Sequence, residues 1–294
     1  MDALLAHEIY PAEVDSPAEV DSPAAGEPEP EPVLAIHGLS STRKLWLWVH
    51  DAAPDIALLA PDLRGRGESV GMGGPYGMDA HVADLVALLD DLGLDRVHVM
   101  GMSMGGFIAV HLAHQHPERV SSLLLVDGGP PMAAPPGLTP ETLPAAFAGR
   151  AGRLSRQWPS LAAYRAYFCD DIAPLLDRHD PLLADYLAHD LDDGRVRLDG
   201  EALAPDAGDI WFGHNPWQEV TVPIRFLHAQ WSVGAASPPG YGPPELDAVL
   251  AQGIPSTPVD GVDHAGIVMT HDGARAVAAA LRNVVSAPSA GGTE

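Results

Sequence analysis

Cysteine is almost missing from this chain. Cys169 stands alone among 294 residues, which excludes an internal disulfide and any cysteine-built metal site. Lysine is as scarce, with Lys44 the single example, and 16 basic residues face 40 acidic ones for a formal net charge of −24. Such a surface repels nucleic acid and anionic membranes, so neither is expected as a partner, and the acidity reads as solubility or adaptation to salt. No apolar run approaches the ~20 residues of a membrane-spanning helix. The first residues lack the basic-then-apolar order of a secretory signal, so a cytoplasmic location is the expectation. Phosphate loops, nucleotide fingerprints and H-E-x-x-H spacings are also absent, so neither cofactor nor metal is expected. A small-molecule substrate is the expected partner, with monomer and homodimer both open.

What is present begins with an unusual start. AEVDSP occurs twice in tandem at 12–17 and 18–23, followed by alternating Pro and Glu at 27–32. That composition buries no core, so 1–31 is expected to be largely extended or disordered, and only Leu4 to Tyr10 has the makings of an edge strand. From residue 32 the texture becomes globular. Apolar runs at 32–37, 55–61 and 120–126 read as strands, and 80–92 has helical spacing closed by Gly93. Strands alternating with helices predict an α/β fold with a mainly parallel, twisted sheet covered by helices on both faces.

The stretch with the sharpest chemical meaning is 95–107, DRVHVMGMSMGGF. Val97 and Val99 alternate as in a buried strand, and Ile108, Ala109, Leu112 and Ala113 carry a helical pattern. Between them Gly101-Met102-Ser103-Met104-Gly105 makes the turn. A serine at the tip of a tight strand-to-helix turn holds strained dihedrals, and the residues two before and two after it must lack bulk. The helix start beneath Ser103 offers unpaired N–H groups and a positive dipole end to a developing anion.

After Pro130 proline-rich sequence leads into helical patterns at 140–149, 160–171 and 174–190, with no clean strand before Thr221. This segment, 131–216, reads as a helical lid whose aromatics partly line an apolar pocket. Trp158, Trp211 and nearby Trp217 are the candidate substrate contacts, with His214 a fourth. The sheet resumes at 222–228. A short helix at 243–251, a last strand at 254–259, a loop through Asp263-His264 and an amphipathic helix at 272–284 complete the core. The core is therefore assigned to 32–130 and 217–285, and 286–294 to a frayed tail.

Taken together, His37-Gly38 after the first buried strand, DLRGRGES at 62–69, GMSMGG at 101–106, HPERV at 116–120 and Asp263-His264 before the last helix resemble the α/β-hydrolase superfamily in its lid-bearing branch. The resemblance covers about 32–285 in the family's order. It implies Ser103 as nucleophile, His264 as general base, and the backbone N–H groups of Leu39 and Met104 as the oxyanion hole. His37 is expected to order the oxyanion loop, and His228 and His271 to be structural.

The acid departs from the usual pattern. The turn after 222–228 reads His228-Ala229-Gln230-Trp231-Ser232, with no carboxylate until Glu245. A minority of the superfamily, including some lipases and zearalenone-type lactone hydrolases, carries the acid after the preceding strand, counted in the family as the sixth. That place is Asp127 here, with Asp260 and Asp263 as weaker rivals. The resemblance implies a serine hydrolase for an ester or lactone of a bulky apolar substrate, with a zearalenone-type macrolactone as the specific expectation. Carbon–carbon bond hydrolysis and non-catalytic ligand reception on the same fold are the alternatives.

Overall fold

A computed structural model describes residues 4–13, 32–150, 154 and 156–286. Most of the acidic repeat and the tail from 287 lie outside the described residues. In chain order the strands are His7–Tyr10 (β1), Val33–Ile36 (β2), Leu58–Pro61 (β3), Val97–Met102 (β4), Val120–Val126 (β5), Leu191–Asp192 (β6), Arg195–Val196 (β7), Ile224–Trp231 (β8) and Ser256–Asp263 (β9). The helices are Leu47–Ala52 (α1), Met78–Asp91 (α2), Met104–Gln115 (α3), Leu143–Arg150 (α4), Leu161–Tyr167 (α5), Pro181–Asp190 (α6), Gly200–Phe212 (α7), Pro243–Ala251 (α8), Gly266–Met269 (α9) and His271–Val285 (α10).

Seven strands form one sheet in the order β1-β3-β2-β4-β5-β8-β9. Only β1 runs antiparallel, against β3, so residues 7–10 belong to the core sheet although the sequence pattern assigns the core from residue 32. Inner strands β2, β4 and β5 are buried at every position, because helices cover both faces and alternate side chains have separate destinations. Val33 and Ala35 join the apolar cluster that holds α1 and α10, while Leu34 and Ile36 join the one that holds α2 and α3. Helix α10 shows the matching helical period, burying Ala274, Val277, Ala278, Leu281 and Val284 along one stripe, and Thr270 caps it by accepting from Gly273 N–H.

The segment read from sequence as a lid lies between β5 and β8, and β5 is the fifth strand in chain order, not the sixth, because a single strand precedes β2 among the described residues. Two further expectations for the lid are corrected. Residues 174–180 are turns, and α6 starts at Pro181, where Pro suits the first helical turn and Asp180 accepts from Leu182 N–H. The β6–β7 hairpin interrupts the helices; its turn, Asp193-Gly194, has positive φ at both residues (44° and 71°), the geometry that two-residue hairpins favour. Helix α7 is additional. Pro205 inside it reads as a breaker in sequence, but Asp199 caps the helix and α7 packs against α3 and α4.

Candidate active site

The strand order reverses direction beside β2: the chain steps one way to β3 and the other way to β4. In open parallel sheets such a point leaves a crevice beyond the carboxyl ends of the strands. Here the crevice receives residues 37–41 from β2, Ser103 from β4, Asp127 from β5 and His264 from β9.

Ser103 has φ 55° and ψ −123°, a conformation that L-residues avoid. The turn closes because its flanks lack side chains: a Cβ on Gly101 would fall 2.2 Å from the Gly105 carbonyl oxygen, and one on Gly105 2.0 Å from that of Ile36. Asp127 also sits at positive φ, 46°. Its neighbour Gly128 lies so close that a Cβ there would come within 2.5 Å of the Ser103 Cα, so the two turns are packed backbone to backbone.

Three side chains form a line. The Ser103 Oγ lies 3.0 Å from His264 Nε2, and His264 Nδ1 lies 2.6 Å from Asp127 Oδ2. Asp127 is 4% exposed, and its other oxygen accepts from Ala229 N–H at 3.1 Å. An ionised Asp127 only accepts, so Nδ1 carries the proton and Nε2 is free to take one from the serine hydroxyl. Burial pushes the His264 pKa down, but the Asp127 hydrogen bond and charge, helped by Asp263, outweigh it and hold the imidazole above its usual range. The His264 side chain keeps 38% exposure, leaving its serine-facing edge approachable.

Neither rival for the acid takes that place: Asp260 is exposed within β9, and Asp263 serves the loops. Asp263 is 1% exposed and accepts from Gly266 N–H and Gly234 N–H at 2.8 and 2.7 Å. Ser232 contributes backbone: its carbonyl accepts from His264 N–H at 3.1 Å.

Beside Ser103, the loop after β2 is pinned by two side chains. His37, wholly buried, donates from Nδ1 to the Gly38 carbonyl (2.8 Å) and accepts from Leu63 N–H at Nε2 (3.0 Å). Burial drops its pKa to about 4, so it stays neutral in this one tautomer. Arg66, also wholly buried, donates from Nε to the Leu39 carbonyl at 3.0 Å. Leu39 N–H has no backbone acceptor among the described residues, and Met104 N–H is the first of α3, which has no acceptor inside its own helix, so both remain available to an anion at Ser103. A Cβ on Gly38 would meet the Ser103 Cβ at 3.2 Å, which shows how tightly this loop crosses the serine.

The lid candidates fare unevenly. Trp217 is removed from the site: it is buried with Phe226 and Tyr241 and lines a cavity with His98, Ser122 and Ile224. That cavity sits where β4 and β8 begin, about five strand residues or ~16 Å below Ser103. Trp217 closes the chain's return into β8, a packing task that its sequence neighbourhood does not reveal. His214 is exposed beside Glu219 (3.8 Å), and its carbonyl faces His111 of α3. Trp158 belongs to the lid's interior, 4% exposed against Tyr164 and Tyr167. Trp211 is half-buried against Phe147. Sequence reasoning missed Arg66 and its counter-ion Asp206, wholly buried and 2.6 Å apart; the only sequence signal was Arg66 inside the 62–69 motif.

A family model for the alpha/beta hydrolase fold matches residues 31–193. Lipase LipV of Mycobacterium tuberculosis is 41% identical over 102 residues, 35% of this chain and 39% of the lipase. A putative 2-succinyl-6-hydroxy-2,4-cyclohexadiene-1-carboxylate synthase of Bacillus subtilis is 29% identical over 216 residues, 68% of this chain and 73% of that protein. In structure, E-2-(acetamidomethylene)succinate hydrolase superposes with a TM-score of 0.71 at 19% identity, covering 88% of this chain and 92% of its own, a likeness of fold.

Proposed function

The chain belongs to the alpha/beta hydrolase fold family, and from that premise we propose that it is a serine hydrolase cleaving a carboxylic ester or lactone through an acyl-enzyme. The observation that carries the reading is the unbroken line Ser103–His264–Asp127 at 3.0 and 2.6 Å beside two unspent amides. His264 Nε2 takes the Ser103 proton as Oγ adds to the substrate carbonyl carbon. The carbonyl oxygen becomes an oxyanion facing Leu39 N–H and Met104 N–H, each donor worth ~3–4 kcal/mol of barrier. Collapse expels the alkoxide, which receives the proton from His264. Water, deprotonated by the same nitrogen, then adds to the acyl carbon and releases Ser103. Asp127 holds the tautomer and balances the imidazolium throughout.

The preferred substrate is a fairly bulky apolar ester or lactone, and a zearalenone-type macrolactone is the specific proposal. It is supported by the acid's place after β5 and by an aromatic lid in which Trp211 is the tryptophan left half-buried. A second reading, hydrolysis of a carbon–carbon bond beside a ketone, is favoured by GMSMGG at 101–106, which resembles that branch. Esters of graded acyl length, lactones of graded ring size and a vinylogous diketone, each assayed with wild type and Ser103→Ala, decide among these. The expected outcome is ester or lactone turnover that Ser103→Ala lowers by ~10⁶-fold. Binding without turnover of any of them would make the protein a receptor.

A further inference from the structure

Resting on the serine-hydrolase reading, we propose that lid helix α7 holds the oxyanion loop in register through a buried Asp206–Arg66 pair, which makes both of them positioning residues. The starting point is the geometry around Leu39. Its N–H belongs to the peptide plane that also carries the Gly38 carbonyl, and its own carbonyl belongs to the next plane. His37 holds the first plane at 2.8 Å and Arg66 Nε the second at 3.0 Å. Peptide units are rigid, so fixing both planes fixes the two dihedrals of Leu39 and therefore the direction of its N–H.

The two anchors have different roots. His37 follows β2 and is tied to Leu63, both in the core. Arg66 depends on the lid. Its NH1 donates to the Arg64 carbonyl at 2.9 Å, and its NH2 lies 2.6 Å from Asp206 Oδ2, the one carboxylate within ion-pair distance of it among the described residues. Asp206 comes from α7. It is itself held by Gly77 N–H (2.7 Å) and lies 3.2 Å from His81 Nε2. A wholly buried guanidinium is tolerated only while its counter-charge is in place.

Backbone bonds tie the same part of the lid to the same turn: Gly67 N–H to the Arg197 carbonyl at 2.9 Å, Asp199 N–H to the Gly65 carbonyl at 2.8 Å, and an antiparallel bridge between Arg66 and Leu198. Next to them, α7 also serves α2. Gly77 supplies no side-chain cap there, and the first N–H groups are taken by Asp206 and Asp209. This end of the lid is thus a fixed base, and any displacement of α7 withdraws the charge that keeps Arg66 on Leu39. The effect falls on the oxyanion and not on substrate binding, so it belongs in kcat.

The test uses the full chain, a small activated ester, and an aryl trifluoromethyl ketone whose adduct with Ser103 places an oxyanion in the same hole. Asp206→Asn is expected to lower kcat about tenfold, short of the ~10²–10³-fold of a deleted donor, with KM nearly unchanged and ketone affinity falling in parallel. Because that variant strands a buried charge, the double variant Arg66→Met/Asp206→Leu accompanies it. The double variant should regain much of the lost Tm while keeping the kcat and ketone deficits. A folded double variant with wild-type kcat and ketone affinity overturns the proposal, as does a loss confined to Tm. Wild type and Ser103→Ala separate the two levels. Wild-type turnover that disappears in Ser103→Ala upholds the serine reading whatever Asp206 does, and a wild type inert to ester and ketone overturns both.

Discussion

Two aspartate–histidine contacts in this molecule look alike on paper. Asp127 and His264 meet at 2.6 Å, Asp62 and His189 at 3.0 Å, and both carboxylates are buried. Their surroundings differ. Asp62 accepts from the N–H groups of Arg43 and Glu68 (2.8 and 2.9 Å) and sits directly on the Arg43 guanidinium. Burial pushes its pKa up, but the His189 hydrogen bond and those N–H groups pull harder and bring it to about 2. Among the described residues, Asp127 has besides its histidine a neutral amide and no guanidinium or ammonium within ion-pair distance. His189 is 8% exposed and tied between lid and core, whereas His264 keeps 38% exposure and a second nitrogen on a hydroxyl. A carboxylate already neutralised by a guanidinium makes a clamp. One whose charge has no other cation to satisfy can stabilise an imidazolium that comes and goes.

Substituting the two aspartates tests this contrast most strongly. Asp127→Asn should lower kcat by ~10⁴-fold at neutral pH with little change in Tm, because the wrong tautomer faces Ser103. Asp62→Asn should instead cost ~1–3 kcal/mol in denaturant unfolding, because Arg43 loses its buried carboxylate and keeps the more exposed Glu8 and Glu68, while kcat of the folded protein stays far above that of Asp127→Asn. Equal kcat losses in the two folded variants would erase the distinction.

Titration should divide the pairs next. Activity needs neutral His264, whose pKa is raised, so the acid limb of kcat/KM should lie above the ordinary ~6.5. Asp127→Asn should move that limb downward. In stability the signs are opposite. The raised His264 contributes below its unfolded ~6.5, and that contribution is lost as pH rises through its folded pKa. The depressed Asp62 contributes above its unfolded ~3.9, a contribution lost as pH falls toward about 2. Unfolding measured from pH 2 to 9 on both variants checks each direction.

The smallest effect should come from Ser232→Ala, which keeps the backbone carbonyl that accepts from His264 N–H. Wild-type kcat is expected, and a large loss would move the acid's role toward that turn.

The chain's amino-acid pattern alone determined the parallel sheet, its coverage on both faces, the strand–turn–helix at Ser103 and the closing helix. These rest on short-range rules: an apolar period of two or 3.6, and glycines where a side chain would strike backbone. Asp127 was pointed to by the resemblance to the α/β-hydrolase superfamily, whose usual acid position, the turn at 228–232, holds no carboxylate here. Tertiary structure decided the rest. Pro205 hides a helix that Asp199 caps and packing completes. Trp217 and Trp211 carry similar local signals, yet one is buried where strands begin and the other stays half-buried in the lid. Arg66 and Asp206, Asp62 and His189, and the three side chains of the site come from segments far apart in sequence. Which of their charges is neutralised and which is left to act depends on the groups that surround each one after folding, and no local pattern encodes that set.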